Sequence, residues 1–362
     1  MELTSTSFFV TLNIVTFLMV LTTLFLWGKV RGPGWVRWPL RTGLIVLCQL
    51  TAIATVATVI NNDYGLYASW DDLLGTENGG TGNMTGPPAT RAKFSPANGG
   101  VRTTYFRGER SRLAGEVLVS TPPGYDEAAR RTTHYPVVML LHGVPGSPQT
   151  WLDRGGMPGR FRDLVGQGLA HEAILVMPIV DPGGVDTDCT DLPHRRTATW
   201  IASDVTDLIS RNFRTLPSPR GWGLMGLSTG GYCAARLPLQ FPDKFAAGAA
   251  LDPDPLTGDP DVVEDARLRA RTSPMGLLRA ARTTPLKPSP ALFLATSKQD
   301  PDSPPSYIDR FREDAAGTGV EVATDVVPRG GHNWNTWQGM YPKALPWLDG
   351  RLDAPRKEDQ GG

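Results

Sequence analysis

The pentapeptide Gly226-Leu227-Ser228-Thr229-Gly230 has the form G-x-S-x-G. A serine hydroxyl at its free pKa is a poor nucleophile and needs a base to take its proton. The pattern suits that chemistry in one setting, a strand that turns sharply into a helix. Here the apolar Trp222–Met225 precedes the serine, and a small-residue helical stretch from Gly231 to Leu239 follows it. The flanking glycines let neighbouring backbone pass without a Cβ clash. The hydroxyl would then stand at a helix N-terminus, where the dipole favours developing negative charge. The bland alternative is a glycine-rich turn with an idle serine.

A base must follow. In the strand–turn–helix setting the chain order is serine, acid, histidine. Of the five histidines (His134, His142, His171, His194 and His332), only His332 comes after Ser228. It lies in Pro328-Arg329-Gly330-Gly331-His332-Asn333-Trp334, just past the last predicted strand. The acid should sit on the loop after the penultimate strand, to fix the imidazole tautomer and stabilise the imidazolium. Ser297-Lys298-Gln299-Asp300-Pro301-Asp302 offers two carboxylates there. Asp300 is the first choice and Asp302 the second, with Asp252 and Asp254 after the preceding strand as further alternatives.

A tetrahedral intermediate also needs two backbone N–H donors. One is the residue after the nucleophile, Thr229. The other should come from His142-Gly143-Val144-Pro145-Gly146, after the apolar run Val137–Leu141. Pro145 has no N–H, so Val144 is the natural donor, and Gly143 permits the close approach. His142 precedes the serine and reads as a structural residue that orients this loop.

These residues need a scaffold with its loops gathered at one end. From Val101 to about Leu352 short apolar runs alternate with helical stretches. Val137–Leu141 and Ala173–Met177 are continuously apolar, as expected of strands buried on both faces. Trp222–Met225, Phe245–Leu251, Leu292–Ala295 and Val322–Val327 follow, and Val117–Ser120 resembles an edge strand. Ile201, Val205, Leu208 and Ile209 mark one face of a helix, with Asp204, Asp207 and Arg211 opposite. The expected fold is α/β, a mostly parallel central sheet with helices on both faces. Function in such sheets gathers at the C-terminal strand ends.

The motifs LLHGVPGS, GLSTGGY and GGHNWNTW, in this order, resemble the putative-esterase branch of the α/β-hydrolases. That branch includes esterase D-like proteins, enterochelin-esterase-like enzymes and the antigen 85 mycolyltransferases. The resemblance covers about Val101 to Leu352. It implies the α/β-hydrolase fold and serine-dependent ester hydrolysis or acyl transfer, with no metal or cofactor. Matched residue by residue, it supports Ser228, His332, Val144 and Thr229. The acid is the least distinctive point, because Thr296-Ser297 stands where the branch has Gly-x-x-Asp leading into its acid.

The first sixty residues are of another kind. Phe8 to Trp27 gives 20 mostly apolar positions, and Thr42 to Asn62 is a second uncharged run. At 1.5 Å per residue the first matches a hydrocarbon core of about 30 Å. It has no basic flank ahead of it, no small-x-small cleavage site, and more than a signal peptide's apolar length. Two transmembrane helices are expected, the second being the weaker. The connector carries Lys29, Arg31, Arg37 and Arg41, whereas Asn61 to Thr90 has only acids. Positive-inside then puts the connector in the cytoplasm and both termini outside. Tyr64, Tyr67 and Trp70 read either as an aromatic belt at the outer interface or as part of a short amphipathic helix. The expected organisation is 1–62 anchor, 63–100 linker, 101–352 hydrolase domain and 353–362 polar tail, with Gly75–Gly100 a flexible Gly/Pro/Thr/Asn-rich spacer.

Lys+Arg and Asp+Glu both number 36, so no net basic field exists to attract nucleic acid. Three cysteines cannot build a disulfide scaffold and show no zinc spacing. Cys189 and Cys233 could bridge in an oxidising exterior, although Cys233 also reads as a small core residue. Asp181 to Arg196 could wall the substrate site, and Trp334 and Trp337 could line a pocket or simply pack. The leading expectation is a cell-membrane-anchored, extracytoplasmic serine esterase acting on a small-molecule or lipid ester. An acyltransferase to a cell-envelope sugar and a non-catalytic binding module are the alternatives.

Overall fold

The computed structural model describes residues 6–64, 93–97 and 100–357, in two separate units. The first is a helical pair, α1 (Thr6–Trp27) and α2 (Gly34–Tyr64). Within it, Ser7–Trp27 and Gly34–Ile60 each reach a mean hydropathy of 2.2, so both are long and apolar enough to cross a bilayer. Thr16 Oγ1 bonds Thr55 Oγ1 at 2.9 Å and Thr51 O at 3.2 Å, polar links between two apolar surfaces. The second helix starts eight residues before the expected Thr42, taking in Arg37 and Arg41. Hydropathy marks the apolar part of a helix, whereas basic residues end that run without ending the helix. Tyr64 closes α2, while Tyr67, Trp70 and most of Gly75–Gly100 lie outside the described residues.

The second unit is built on a nine-stranded sheet. Its strands in chain order are β1 (Ser95–Pro96), β2 (Arg102–Arg107), β3 (Ala114–Ser120), β4 (Val137–Leu141), β5 (Ile174–Pro178), β6 (Trp222–Leu227), β7 (Ala247–Leu251), β8 (Ala291–Ser297) and β9 (Glu321–Val327). Across the sheet the order is β1-β2-β3-β5-β4-β6-β7-β8-β9. From β5 to β9 every pairing is parallel, and β1, β2 and β3 add on antiparallel.

Period-2 alternation explains the continuous apolar runs. Val138 and Leu140 of β4 point to one side, with Phe161, Trp337, Tyr341 and Leu345. Val137, Met139 and Leu141 point to the other, with Trp200, Ile201, Val205 and Leu237. Further along the same side, Leu292 and Leu294 meet Met275, Leu278, Ile308 and Phe311. Both faces are therefore covered by helices, as a parallel sheet requires.

Three expectations change. The strand at Val117–Ser120 is internal, because β2 pairs along its outer side. Asp204 does not face water: its carboxylate is buried and accepts the N–H groups of Arg110 and Ser111 at 3.0 and 2.8 Å. It thereby satisfies the turn joining β2 to β3, a demand invisible to helix periodicity. The sheet also begins at Ser95, inside the segment expected as linker. In the tail, Arg356–Lys357 pairs with Thr133–His134.

The turn after β6 is closely packed. A Cβ on Gly226 would come within 2.0 Å of Gly230 O, and one on Gly230 within 2.1 Å of Leu141 O. These contacts are backbone to backbone, so no rotamer change can relieve them. Gly230→Ala should destabilise the fold by on the order of 3 kcal/mol. Thermal unfolding of the full chain should show a midpoint lowered by about 6–12 °C. Gly339→Ala, where nothing lies within 4 Å of the added Cβ, should leave the midpoint unchanged or slightly raised.

Candidate active site

Ser228 follows the last residue of β6 with φ 55° and ψ −127°, a strained conformation for a residue with a Cβ. Its N–H bonds Leu251 O at 3.0 Å and its carbonyl accepts Tyr232 N–H at 2.9 Å, which pins both sides of the turn. The helix Thr229–Gln240 starts directly after it.

His332 and Asp300 lie on the loops after β9 and β8. His332 Nε2 is 2.8 Å from Ser228 Oγ, and His332 Nδ1 is 2.8 Å from Asp300 Oδ2. The other oxygen of Asp300 accepts the N–H groups of Asp302 and Ser303 at 2.8 and 3.1 Å. Asp302 itself is exposed and contributes only this backbone donor. Burial disfavours the imidazolium, but the bond to Asp300 and the charges of Asp300, Asp252 and Asp254 outweigh it and hold the His332 pKa above its ordinary value. Burial also pushes the Asp300 carboxyl up, yet its bond to His332 and its two N–H donors bring it below the usual carboxylate range.

With Nδ1 donating to Asp300, the neutral imidazole has Nε2 free to accept. Ser228 has one proton and two acceptors in reach, His332 Nε2 at 2.8 Å and Asp254 Oδ1 at 3.3 Å. The shorter contact has hydrogen-bond length and the longer is marginal. Asp254 Oδ2 instead accepts the Thr229 hydroxyl at 2.6 Å.

Gly143 packs on the serine: a Cβ there would be 3.0 Å from Ser228 Cβ. Val144, the next residue, donates its N–H to no backbone acceptor among the described residues. Thr229 is the first residue of its helix, where N–H groups lack an intrahelical partner. His142 is fully buried, with Nδ1 on Gly143 O at 2.8 Å and Nε2 accepting Val180 N–H at 3.0 Å. Those partners require the tautomer protonated at Nδ1. Burial pushes its pKa down to about 4, so it stays neutral. It braces the Gly143 loop against the residues after β5.

The Asp181–Arg196 segment reaches the same place. Asp186 Oδ2 lies 3.4 Å from Thr229 Oγ1. A Cys189–Cys233 disulfide fastens the segment to the helix after Ser228, and buried Arg236 donates to Cys189 O. Trp334 and Trp337 are buried in the core, and Trp337 also sets its ring edge-on to His332, 5.2 Å between centroids. Asp252, Asp300 and His332 each place one ligand-type atom within 4.8 Å of the others. Both ring nitrogens of His332 are already engaged by protein groups. Sequence reasoning weighed Asp252 and Asp254 only as substitutes for Asp300; the structure puts all three carboxyls at one imidazole or its serine.

The Esterase family model, described as Putative esterase, matches residues 114–261. That stretch is similar to the putative-esterase family, and the domain has the α/β-hydrolase fold. The matched residues include Val144, Ser228 and Thr229 and end before Asp300 and His332. A solved ferulic acid esterase superposes with a TM-score of 0.58 at 21% identity, covering 73% of this chain and 99% of the other. An S-formylglutathione hydrolase from Agrobacterium tumefaciens gives 0.57 at 19% identity, covering 73% and 100%. A ferulic acid esterase of the fungus Anaeromyces mucronatus gives 0.55 at 17%, covering 75% and 98%. An uncharacterized protein of Corynebacterium glutamicum is 25% identical over 253 residues, 65% of this chain. This chain spans 57% of that relative's length.

The Asp181–Arg196 segment also holds a buried acid whose ionisation bears on stability. Asp188 is buried, with one oxygen accepting Asp259 N–H at 3.1 Å and the other unpartnered. Burial, with the charges of Asp186, Asp254 and Asp259, raises its pKa to about 7. A folded-state pKa above the ordinary 3.8 contributes stability below pH 3.8 that is lost as pH rises toward 7. Asp188→Asn removes the ionisation while keeping the acceptor. Its thermal midpoint should exceed that of the parent by about 2–6 °C at pH 8 and by clearly less at pH 5.

Proposed function

We propose that this chain is a membrane-anchored serine esterase whose hydrolase domain lies outside the cytoplasm. The observation that carries the reading is the unbroken pair of 2.8 Å contacts from Asp300 through His332 to a serine held at φ 55°. Ser228 Oγ attacks the ester carbonyl carbon while His332 Nε2 takes its proton, and Asp300 holds the resulting imidazolium. The carbonyl oxygen becomes an oxyanion held by the Val144 and Thr229 N–H groups, each worth about 3 kcal/mol where such donors have been removed. His332 returns the proton to the departing alcohol, leaving an acyl-Ser228 ester. Water, deprotonated by His332, attacks that ester and releases the carboxylic acid. The substrate is a small-molecule or lipid ester.

Two features support the location. Lys29, Arg31, Arg37 and Arg41 flank or enter the turn between the apolar helices, which favours a cytoplasmic turn. The Cys189–Cys233 bridge suits an oxidising compartment. A second reading, acyl transfer to a sugar, is favoured by Asp254 and Asp186. Asp254 lies beside Ser228 and Asp186 beside Thr229, and their carboxyls can accept hydrogen bonds from an acceptor's hydroxyls.

Ser228→Ala should lower turnover of a p-nitrophenyl ester by at least about 1000-fold and abolish fluorophosphonate labelling. Undiminished turnover would remove Ser228 from the mechanism. His332 must be neutral to accept a proton, and its pKa is held above 6.5, so kcat/KM should fall as pH drops through that raised value. With a disaccharide added, a transferase would divert the acyl group to the sugar, while a hydrolase would release acid at an unchanged rate. Protease added to intact cells or spheroplasts should cut within residues 75–100 and free the domain. Protection until the membrane is permeabilised would reverse the topology.

A further inference from the structure

Asp252 is the first residue after β7, fully buried and at φ 41°, a backbone conformation that suits few residues with a Cβ. Its N–H bonds Ala295 O at 2.8 Å, and its Oδ1 accepts Ser297 N–H at 3.1 Å. Both contacts tie it to β8, the strand that leads into the Asp300 loop. Its Oδ2 is buried with no hydrogen-bond partner. The carboxyl lies within 4.8 Å of ligand-type atoms of both Asp300 and His332. A carboxyl this deep, with one oxygen unsatisfied and a second carboxylate alongside, is costly unless it serves the imidazole they share.

We propose that Asp252 is a second orienting carboxyl for His332, a positioning residue behind Asp300 that tunes the imidazole and substitutes for Asp300 when that residue is lost. This rests on reading Ser228, His332 and Asp300 as a catalytic unit. Two carboxyls at this separation do not both ionise cheaply, so one proton is shared over the pair. Asp300 carries the charge, since it bonds His332 and accepts two N–H groups. Asp252 keeps the proton: burial and the Asp300 charge raise its pKa to about 7. The charged groups facing the pair are His332 from the loop after β9 and Asp254, two residues further along the loop after β7, which also acts on His332. As pH rises through neutrality Asp252 ionises and adds a second negative charge near the imidazole. That charge makes His332 a stronger base and moves the acid limb of the activity profile upward. If Asp300 loses its charge, Asp252 ionises more readily and supplies the counter-charge.

The test is a double-mutant cycle on the purified full chain, with p-nitrophenyl acetate as substrate and pH profiles throughout. Asp252→Asn alone should cost less than about threefold in kcat at pH 8 and move the acid limb of kcat/KM to lower pH by about half a unit. Asp300→Asn alone should leave more activity than the roughly 10⁴-fold loss seen when a triad acid is replaced without a reserve. Adding Asp252→Asn to Asp300→Asn should then cost a further tenfold or more, far beyond its effect in the parent. Should Asp252→Asn not fold, Asp252→Ser, which keeps an acceptor for Ser297 N–H, carries the same comparison. Equal effects of the Asp252 change in both backgrounds, with an unmoved acid limb, would make Asp252 purely structural and overturn the proposal. Ser228→Ala protein that still hydrolyses the ester would instead overturn the underlying reading, independently of Asp252.

Discussion

Everything at the candidate site depends on how closely three stretches of backbone approach at the end of β6. Gly226 and Gly230 leave 2.0–2.1 Å between a would-be Cβ and carbonyl oxygens of the helix and of β4. That approach forces the chain through φ 55° at Ser228, and only this turn lifts the hydroxyl clear of the sheet toward His332. The same crowding brings Gly143, the residue before Val144, against Ser228. One steric constraint thus sets the serine, its helix dipole and the Gly143 loop together. The strain is met by the surrounding packing, with both faces of β6 buried.

The acids add a second layer of organisation. Five parallel strands in turn, β5, β6, β7, β8 and β9, deliver Asp186, Ser228, Asp252 with Asp254, Asp300 and His332 from their C-terminal ends. Carboxyls outnumber the imidazole they surround, so burial and the neighbouring charge raise the pKa of Asp252 to about 7, while Asp300, with two N–H donors and the histidine, is held below the usual carboxylate range. Identical side chains acquire different states from their partners alone.

Much of this was legible in the sequence where a local rule applied. The continuous apolar runs at Val137–Leu141 and Ala173–Met177 read as doubly covered strands because burial on both faces leaves no polar alternate positions. His332 could be picked out by chain order, and Asp300 by its place after a strand. Other features depend on contacts between distant segments. The burial of Asp204 follows from a hairpin turn 93 residues away, and the place of β3 inside the sheet follows from pairing with β2. Asp252 and Asp300 could be ranked as rivals from sequence, but their shared imidazole appears only once β7 and β8 lie side by side. The Cys189–Cys233 bridge was similarly undetermined until the folded chain set the two residues 5.6 Å apart at Cα.

The spread of the site along the chain has a consequence for biosynthesis. The Val144 and Ser228 loops are made early, whereas His332 comes from the loop after the final sheet strand, 104 residues beyond the serine. On the proposed roles, a nascent chain that has emerged only as far as β8 would hold a nucleophile and its backbone donors but no base. Such a chain could not activate its serine, so it could not acylate itself while incomplete. Competence would arrive with the last strand, so that an active molecule would be one whose sheet has closed.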